Sequence, residues 1–227
     1  MGQLIRTIKH VLLPTSREYR RVRAGVAAGC WLPLSYQSDL RMMWGMFERP
    51  LIPWVRKFFQ DAHVAYDIGN AEGYYTLAFL RLCAPGGRVI AFEANPVANR
   101  EFRVTMERNT IAARVQLIEA FVGDGSDGKT ISVDATKSDR GLPPPDVVKI
   151  DVEGAEVRVL RGMEKTLRGG HPPVILEVHS KELEQQSLEM LQGWDYHTEV
   201  VDFTLMEKVY SEYRPLPHNR WIVARGK

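Results

Sequence analysis

The stretch AYDIGNAEGYYTL, residues 65–77, runs from an apolar strand pattern through a glycine turn into a helical pattern. Gly69 and Gly73 stand in the turn, where a Cβ would block the close approach of a ligand. In an open α/β sheet, ligands bind beyond the carboxyl ends of the strands. The stretch therefore predicts an α/β fold with its ligand site at this first strand-to-helix turn.

The same alternation of strand and helix patterns continues through the rest of the chain. Apolar, β-rich runs lie at residues 63–68, 88–92, 115–122, 146–150 and 174–178, and helical patterns lie at 74–82, 98–109, 153–168 and 181–191. Because the strands are continuously apolar, we expect a parallel sheet with helices on both faces. Two further strands, at 197–203 and 221–225, have no long helix between them and predict an antiparallel pair at the edge. The predicted fold class is α/β, with a seven-stranded, mostly parallel, Rossmann-like sheet.

The first 60 residues form a basic segment ahead of this alternating pattern. They hold ten Lys/Arg and three Asp/Glu, a balance of +7, so residues 61–227 carry −5 because the whole chain carries +2. We predict two units, a basic N-terminal extension at 1–60 and a cofactor-binding domain at 61–227. A basic extension favours contact with something acidic, such as a membrane surface or a phosphorylated substrate.

Residues 3–13 place their apolar side chains on one helical face, with Arg6 and Lys9 elsewhere. Two interpretations stay open, a short helix packed on the main domain or an interfacial helix lying on anionic lipid. No stretch approaches the ~18 apolar residues of a membrane span. Cys30 and Cys83 have no metal-type spacing, and of the two options, one disulfide or two free thiols, free thiols are expected. The expected location is the cytoplasm, with peripheral membrane contact as an option.

The glycine turn discriminates between two classes of cofactor. A dinucleotide needs the pattern G-x-G-x-x-G, but counted from Gly69 the chain has Ala71 and Tyr74 where glycines are required. Asp67 precedes the turn, and its charge would repel a pyrophosphate. S-adenosylmethionine carries a sulfonium and an ammonium instead. Asp67 could bind its amino acid head directly or through water, or hold the turn by accepting backbone N–H bonds, so S-adenosylmethionine is the predicted cofactor.

Two later strand ends supply further candidates for cofactor contacts. Glu93 ends the second predicted strand, 24 positions after Gly69, where a carboxylate can accept both hydroxyls of a ribose. Asp124 follows the third strand, where it could accept an adenine amino group. The GDGSDG stretch around Asp124 is also an ordinary turn by composition, so both interpretations stay open.

The stretch VKIDVEGAEVRVL, residues 148–160, places three carboxylates just after an apolar strand. Asp151 stands at the strand end, which lies beside the first strand in this fold, and Glu153 follows two residues later. Both are candidates for the base that a poorly nucleophilic hydroxyl needs in methyl transfer. Glu156 lies in the first turn of the next helix, where the helix dipole favours an acid, and is predicted to be structural.

The next predicted strand ends in ILEVHS, which supplies Glu177 and His179 on the same face. This acid–imidazole pair is a further candidate for the base. Asp151, Glu153 and Glu177 could also supply oxygen ligands to Mg²⁺, but nothing in their spacing demands a metal, and none is predicted. The candidate catalytic residues are therefore Asp151, Glu153, Glu177 and His179.

At these segments the chain resembles the FkbM-type branch of the class I S-adenosylmethionine-dependent methyltransferases. The similar segments are AYDIGNAEGYYTL, FEANP, VKIDVEGAEVRVLRG and ILEVH, and the likeness covers roughly residues 37–227. It includes SDLRMMWGMFERPL, residues 38–51, with a Gly–aromatic–Glu pattern similar to that of the family. The resemblance implies an O-methyltransferase that acts on hydroxyls of sugars or secondary metabolites.

The resemblance also implies cofactor contacts at Asp67, Gly69, Gly73 and Glu93. The turn of the family commonly reads D-x-G-A-N-x-G, whereas here Asn70 precedes the alanine. Asn70 is therefore the candidate contact for the methionine moiety.

Two other functions remain open. One is a nucleic-acid methyltransferase such as an RNA methyltransferase, because REYRRVR, residues 17–23, interleaves Tyr19 with arginines. The acidic balance of residues 61–227 disfavours it, and no nucleic-acid partner is expected. The other is a non-catalytic, methyltransferase-like binding protein. The partner is expected to be a small-molecule or glycan acceptor bound by the N-terminal extension and by loops that include 209–219, and no pattern indicates an oligomeric state.

Overall fold

A computed structural model describes residues 14–202 and 218–227. The predicted helix at 3–13 and nearly all of the loop at 209–219 lie outside the described residues. The strands are β1 (Glu18–Arg21), β2 (Trp31–Leu34), β3 (Val64–Ile68), β4 (Arg88–Glu93), β5 (Val115–Glu119), β6 (Val147–Ile150), β7 (Val174–Val178), β8 (Tyr196–Val201) and β9 (Arg220–Gly226). The helices are α1 (Leu40–Met43), α2 (Ile52–Phe59), α3 (Tyr74–Leu82), α4 (Pro96–Arg108), α5 (Val133–Arg140), α6 (Glu156–Gly162), α7 (Glu164–Gly170) and α8 (Lys181–Gly193). Within the described ranges, no helix has the length and apolar character needed to span a bilayer.

Seven of these strands form one sheet in the order β5-β4-β3-β6-β7-β9-β8, and β1 and β2 form a separate antiparallel pair. Strands β3 to β7 run parallel to one another, while β9 runs antiparallel to β7 and β8. The prediction of a seven-stranded, mostly parallel α/β sheet with an antiparallel end is confirmed. Because β9 inserts between β7 and β8, β8 forms the edge of the sheet.

The order of the strands reverses between β3 and β6. From β3 the chain moves outward through β4 to β5, and it then crosses back to β6 on the other side of β3. The backbone N–H of Asp151 donates to the carbonyl oxygen of Ile68 at 2.8 Å, which fixes the carboxyl ends of the two strands side by side. Such a reversal is where open α/β sheets bind ligands.

Both faces of the sheet are covered, as the continuous apolar runs predict. Every residue of β3, β6 and β7 is buried, because helices pack on each side of a parallel sheet. One hydrophobic cluster includes side chains of α2, α3 and α4, and the other includes side chains of α5, α6, α7 and α8. Val22, Leu32 and Leu34 belong to the first cluster, so the N-terminal segment shares the core of the sheet domain.

Three differences from the sequence-based prediction lie between residues 115 and 168. The predicted helix at 153–168 divides at Met163 into α6 and α7, where Gly162 packs so closely that a Cβ would lie 1.8 Å from the carbonyl oxygen of Gly123. The predicted strand at 115–122 ends at Glu119. Helix α5 was not predicted, because its sequence VDATKSDR is largely polar and lacks an apolar period.

The arginine-rich stretch at 17–23 includes β1 and makes contacts within the chain. Arg17 pairs with Glu72 at 2.5 Å and with Glu101 at 3.1 Å. These pairs join the residue just before β1 to the glycine turn and to α4. The charge of Arg17 is thus compensated by acids of the same chain, which weakens the argument for a nucleic-acid surface at this stretch.

Candidate active site

The two glycines of the turn are required by the protein's own packing. Gly69 has a φ of +80°, and a Cβ there would lie 1.8 Å from the carbonyl oxygen of Asp151. Gly73 has a φ of +92°, and a Cβ there would lie 2.2 Å from Cε2 of Phe102. Both values of φ favour glycine. The sequence predicted glycine here for the close approach of a ligand, which stays a prediction, whereas the packing requires glycine because of the backbone just after β6 and a side chain of α4.

Glu93 reaches across from β4 and holds the glycine turn. Its Oε2 accepts the backbone N–H of Ala71 at 2.9 Å, and its Oε1 accepts the backbone N–H of Asn95 at 2.7 Å. The carboxylate is therefore fixed at the carboxyl end of β4, beside the turn. This is the position from which the sequence predicts that it binds a ribose.

Asn70 presents an unsatisfied acceptor in the same turn. Its side chain is buried, and its Nδ2 donates to the carbonyl oxygen of Ala71 at 3.2 Å. Its Oδ1 is buried and has no hydrogen-bond partner in the described part of the chain. Buried acceptors are nearly always paired, so this atom is a candidate contact for a bound ligand.

Asp67 lies beneath the turn and faces α3. Its Oδ2 accepts the hydroxyl of Thr76 at 2.6 Å, and the residue is 4% exposed. Burial raises the pKa of Asp67 to about 6, against the opposing effects of the Thr76 hydrogen bond and the positive charge of Lys149. The hydrogen bond of Asp67 goes to a side chain, whereas Glu93 accepts the backbone N–H of Ala71 in the turn.

Asp124 belongs to a network inside its own loop. Its Oδ1 accepts the backbone N–H and the hydroxyl of Ser126, at 3.0 and 2.7 Å, and Arg158 at 3.1 Å. These bonds lower the pKa of Asp124. Arg158 also pairs with Asp127 at 2.8 Å. The network accounts for Asp124 as a loop residue, and contact with adenine stays a prediction.

Three of the four predicted catalytic residues meet at the ends of β6 and β7. The parallel pairing of these strands puts Asp151 next to Glu177 and His179. Nε2 of His179 lies 3.7 Å from Oε1 of Glu177 and 4.0 Å from Oδ1 of Asp151. We refer to Asp151, Glu177 and His179 as the rim cluster. Burial and the charge of Asp151 raise the pKa of Glu177.

Glu153, the fourth predicted catalytic residue, does not join the rim cluster. It lies in the turn between β6 and α6, and its side chain is exposed. Glu153 comes two positions after Asp151, where the chain has already left the sheet.

A buried lysine lies behind the rim cluster. Nζ of Lys149 is 3.6 Å from Oδ2 of Asp151 and 3.9 Å from Oε2 of Glu177. Burial lowers the pKa of Lys149, but the charges of Asp151 and Glu177 outweigh that effect and raise it. A buried ammonium is stable only beside such anions, so Lys149 and the two carboxylates support one another.

Glu156 has a larger role than its position in the helix indicated. It is fully buried, and its Oε1 lies 2.5 Å from Nδ1 of His179. Burial lowers the pKa of His179, but the bond to Glu156 and the surrounding carboxylates outweigh that effect and raise it. The prediction of a purely dipole-stabilising acid missed this bond, because 23 residues separate the partners. Glu156 therefore orients the imidazole so that Nε2 faces the other two members of the rim cluster.

Glu48 also reaches this region and was not among the predicted site residues. Its carboxylate accepts a hydrogen bond from the hydroxyl of Tyr75, and its φ of 44° is unusual for a residue other than glycine. Burial and the negative charges of Glu177 and Asp151 raise the pKa of Glu48 to about 8. The signal that could have indicated it is the Gly–aromatic–Glu pattern at 45–48.

The strand order and the site at the strand reversal define a class I methyltransferase fold. A methyltransferase FkbM from Methylobacillus flagellatus has a TM-score of 0.57 and 16% identity, over 72% of this chain and 44% of that chain. An O-methyltransferase from Bacillus cereus, solved in complex with S-adenosylhomocysteine, has a TM-score of 0.54 and 16% identity, over 77% of this chain and 79% of that chain. At identities this low, the similarity shows that the chains share a fold.

Residues 64–144 and 129–211 match the FkbM methyltransferase domain. The chain therefore belongs to the FkbM methyltransferase family, as the resemblance of its motifs predicts. A hexuronic acid methyltransferase, AglP from Haloferax volcanii, is 28% identical over 144 residues, which are 53% of this chain and 58% of the relative. The chain thus matches little more than half of the length of that relative.

The family and the fold identify S-adenosylmethionine as the cofactor. The site fits it on two observations, the unpartnered buried acceptor of Asn70 and the carboxylate of Glu93 held at the end of the second strand of the sheet. The first suits a donor of the amino acid head, and the second suits the hydroxyls of a ribose. The prediction of the cofactor is confirmed, whereas the individual contacts stay predictions.

Proposed function

We propose that the chain is an S-adenosylmethionine-dependent O-methyltransferase whose acceptor is a hydroxyl of a sugar, a glycan or a related metabolite. The observation that carries the proposal is the rim cluster, in which two carboxylates and an imidazole converge at the carboxyl ends of the strands next to the glycine turn. A hydroxyl is a weak nucleophile and gains from groups that can take its proton. The likeness to a hexuronic acid methyltransferase over 144 residues favours a sugar.

The cofactor is proposed to lie across the ends of β3 and β4. Glu93 accepts hydroxyls of the ribose, Asn70 binds the methionine moiety, and Gly69 and Gly73 keep the turn close to the sheet. When bound, S-adenosylmethionine supplies the methyl group, and its carbon–sulfur bond breaks with the electron pair staying on sulfur. Asp67 contributes negative charge beneath the turn, and Asp124 is the candidate for the adenine amino group.

The acceptor is proposed to lie over the rim cluster, where its oxygen forms the new bond to carbon. Its proton passes to the cluster, in which the side chain of Asp151 is 26% exposed while those of Glu177 and His179 are 2% and 6% exposed. Asp151 is therefore the member nearest to solvent, and it can release a proton. Glu156 holds the imidazole in place, and the positive charge of Lys149 favours the charged forms of Asp151 and Glu177. Much of the remaining contribution is alignment of the reacting atoms.

The test is a methyl-transfer assay with radiolabelled S-adenosylmethionine and a panel of oligosaccharides with and without uronic acids. We expect label in a glycan product, and we expect Asp151→Asn to reduce turnover while leaving the affinity for S-adenosylhomocysteine within a few-fold. Label incorporated into RNA instead would support the nucleic-acid alternative. Tight cofactor binding without transfer to any acceptor would support a non-catalytic binding protein.

A further inference from the structure

We propose that the rim cluster binds one divalent metal ion through Asp151, Glu177 and His179. The inference deepens the proposed function and rests on it, because the ion would lie where the acceptor oxygen is proposed to bind. The sequence offered no spacing that demanded a metal, and its candidate oxygen set included Glu153. The structure replaces Glu153 with His179, and this changes the chemistry of the site.

The geometry of the three side chains leaves room for an ion. The facing atoms are Oδ1 of Asp151, Oε1 of Glu177 and Nε2 of His179, and one ligand atom from each residue lies within 4.8 Å of the others. Nε2 is 3.7 and 4.0 Å from the two oxygens, which is too far for a hydrogen bond whether or not Nε2 carries a proton. A single ion at ~2.1 Å from each atom would hold them ~3 to 4 Å apart, so the separations need little adjustment.

His179 supplies an independent observation. Its side chain is 6% exposed, and Nε2 is buried without a hydrogen-bond partner among residues 14–202 and 218–227. Its other ring nitrogen, Nδ1, lies 2.5 Å from the buried carboxylate of Glu156. Metal-binding histidines commonly have a carboxylate on the second nitrogen, which fixes the ring and leaves the first nitrogen for the ion. The pair has this arrangement.

In each carboxylate one oxygen lies nearest to Lys149 and the other faces the proposed ion, and Oε2 of Glu177 also accepts from Nε1 of Trp221 at 3.3 Å. Oδ2 of Asp151 and Oε2 of Glu177 are nearest to the ammonium, whereas Oδ1 and Oε1 are turned toward His179. Lys149 therefore does not occupy the point between the three ligand atoms. The carboxylate of Glu156 adds further negative charge next to His179, so the field at this point favours a second positive charge.

The ligand set indicates the kind of ion. One imidazole and two carboxylates suit a transition-metal ion such as Mn²⁺ or Zn²⁺, whereas Ca²⁺ and Mg²⁺ prefer oxygen ligands alone. Such an ion can bind the acceptor oxygen and lower the pKa of its hydroxyl. The ion is neither oxidised nor reduced, and the proton of the bound hydroxyl is released to solvent water at the exposed edge of the cluster.

The first test uses the wild-type chain, stripped with a chelator and dialysed. Titration with Mn²⁺ should show about one bound ion per chain as the free Mn²⁺ signal in electron paramagnetic resonance disappears. In protein labelled with ¹⁵N at histidine, Mn²⁺ should broaden the ring resonances of His179. Those of His171, at the opposite end of β7, should remain sharp. Absence of Mn²⁺ and Zn²⁺ binding, or equal broadening of both rings, would overturn the proposal without any variant.

The second test compares His179→Ala with His218→Ala. His218 is a matched control because its Nε2 also bonds a buried glutamate, Glu184, at 2.9 Å, and Glu184 is not a member of the rim cluster. We expect Mn²⁺ affinity to fall at least ~10-fold in His179→Ala. Even the substitution of a residue that hydrogen-bonds to a metal ligand commonly lowers metal affinity by that factor. We expect His218→Ala to bind as the wild type does. Equal affinity in both variants would refute the proposed ligand.

Activity separates this inference from the proposed function. Full methyl transfer to a sugar by chelator-treated enzyme would overturn the metal site and leave the O-methyltransferase intact. Stoichiometric Mn²⁺ binding with no transfer to any hydroxyl would support the metal site and overturn the O-methyltransferase. Transfer that is lost with the chelator and restored by Mn²⁺ or Zn²⁺ supports both.

Discussion

Gly69→Ala is predicted to damage both the stability and the cofactor site, and the chain provides a control that isolates the cause. Gly69 and Gly86 share a φ of +80°, but only one of them is crowded. At Gly69 a Cβ would lie 1.8 Å from the carbonyl oxygen of Asp151, whereas at Gly86 nothing lies within 4 Å. The two substitutions therefore share the backbone strain and differ in the clash.

The expected loss follows from these contacts. An alanine in the left-handed region costs about 1–2 kcal/mol, and this is the whole effect expected for Gly86→Ala. At Gly69 the clash must push β3 and β6 apart, which adds about 1–3 kcal/mol for overpacking. It also strains the 2.8 Å bond from the N–H of Asp151 to Ile68, which is worth about 1 kcal/mol. The free energy of unfolding should therefore fall by roughly 2–4 kcal/mol more in Gly69→Ala.

The assays are urea denaturation followed by circular dichroism, and calorimetric titration with S-adenosylhomocysteine. Gly86→Ala should bind this product as the wild type does, since the turn that contains Gly86 lies at the other end of the sheet. Gly69→Ala should bind it much more weakly, because the glycine turn moves. Equal losses of stability in the two variants, with cofactor affinity retained in both, would refute the argument from close packing.

Three further predictions test individual side chains. Glu93→Gln should weaken S-adenosylhomocysteine binding about 10- to 150-fold, because hydrogen bonds to a charged group contribute about 1.5–3 kcal/mol. The control is Glu119→Gln, at the paired position of β5, which should leave the affinity unchanged. Equal affinities of the two variants in calorimetry would exclude the ribose contact. Glu156→Gln should lower turnover and shift the pH profile of turnover, because it changes the hydrogen bond to the imidazole of His179, and it should leave cofactor affinity unchanged. An unaltered pH profile would show that Glu156 acts only in packing. Burial raises the pKa of Asp67 from 3.8 to about 6, so the folded state favours the protonated carboxyl. The protonated form contributes about 3 kcal/mol to the free energy of unfolding. This contribution is present below pH 4 and is lost as the pH rises through 6. Asp67→Asn should therefore gain stability relative to the wild type between pH 4 and 7 in denaturation experiments, and a constant difference would contradict this.

The rim cluster shows how far strand ends can be predicted from a sequence. Asp151, Glu177 and His179 were predicted because parallel strands present their carboxyl ends at one edge, so residues that follow apolar runs converge there. Glu153 follows the same strand but is exposed, since the direction of a side chain beyond a strand end depends on the turn that the chain takes. The partners of Glu156 and Glu48 are 23 and 27 positions away in the sequence, so the sequence did not predict these contacts, although the Gly–aromatic–Glu pattern marked Glu48 as a residue of interest.

The sequence by itself determined the α/β class, the parallel sheet with its antiparallel end, the glycine turn and the cofactor. These depend on local periodicity and on chemistry at strand ends, which are properties of short segments. The tertiary structure decided which atoms meet. It brings the carboxylate of Glu156 to the imidazole of His179, and it places Gly69 against the backbone of Asp151, just after β6. It also places the carboxylates of Asp151 and Glu177 between Lys149 and that imidazole. Those contacts join segments from different strands, and only the packed sheet fixes the distances between them.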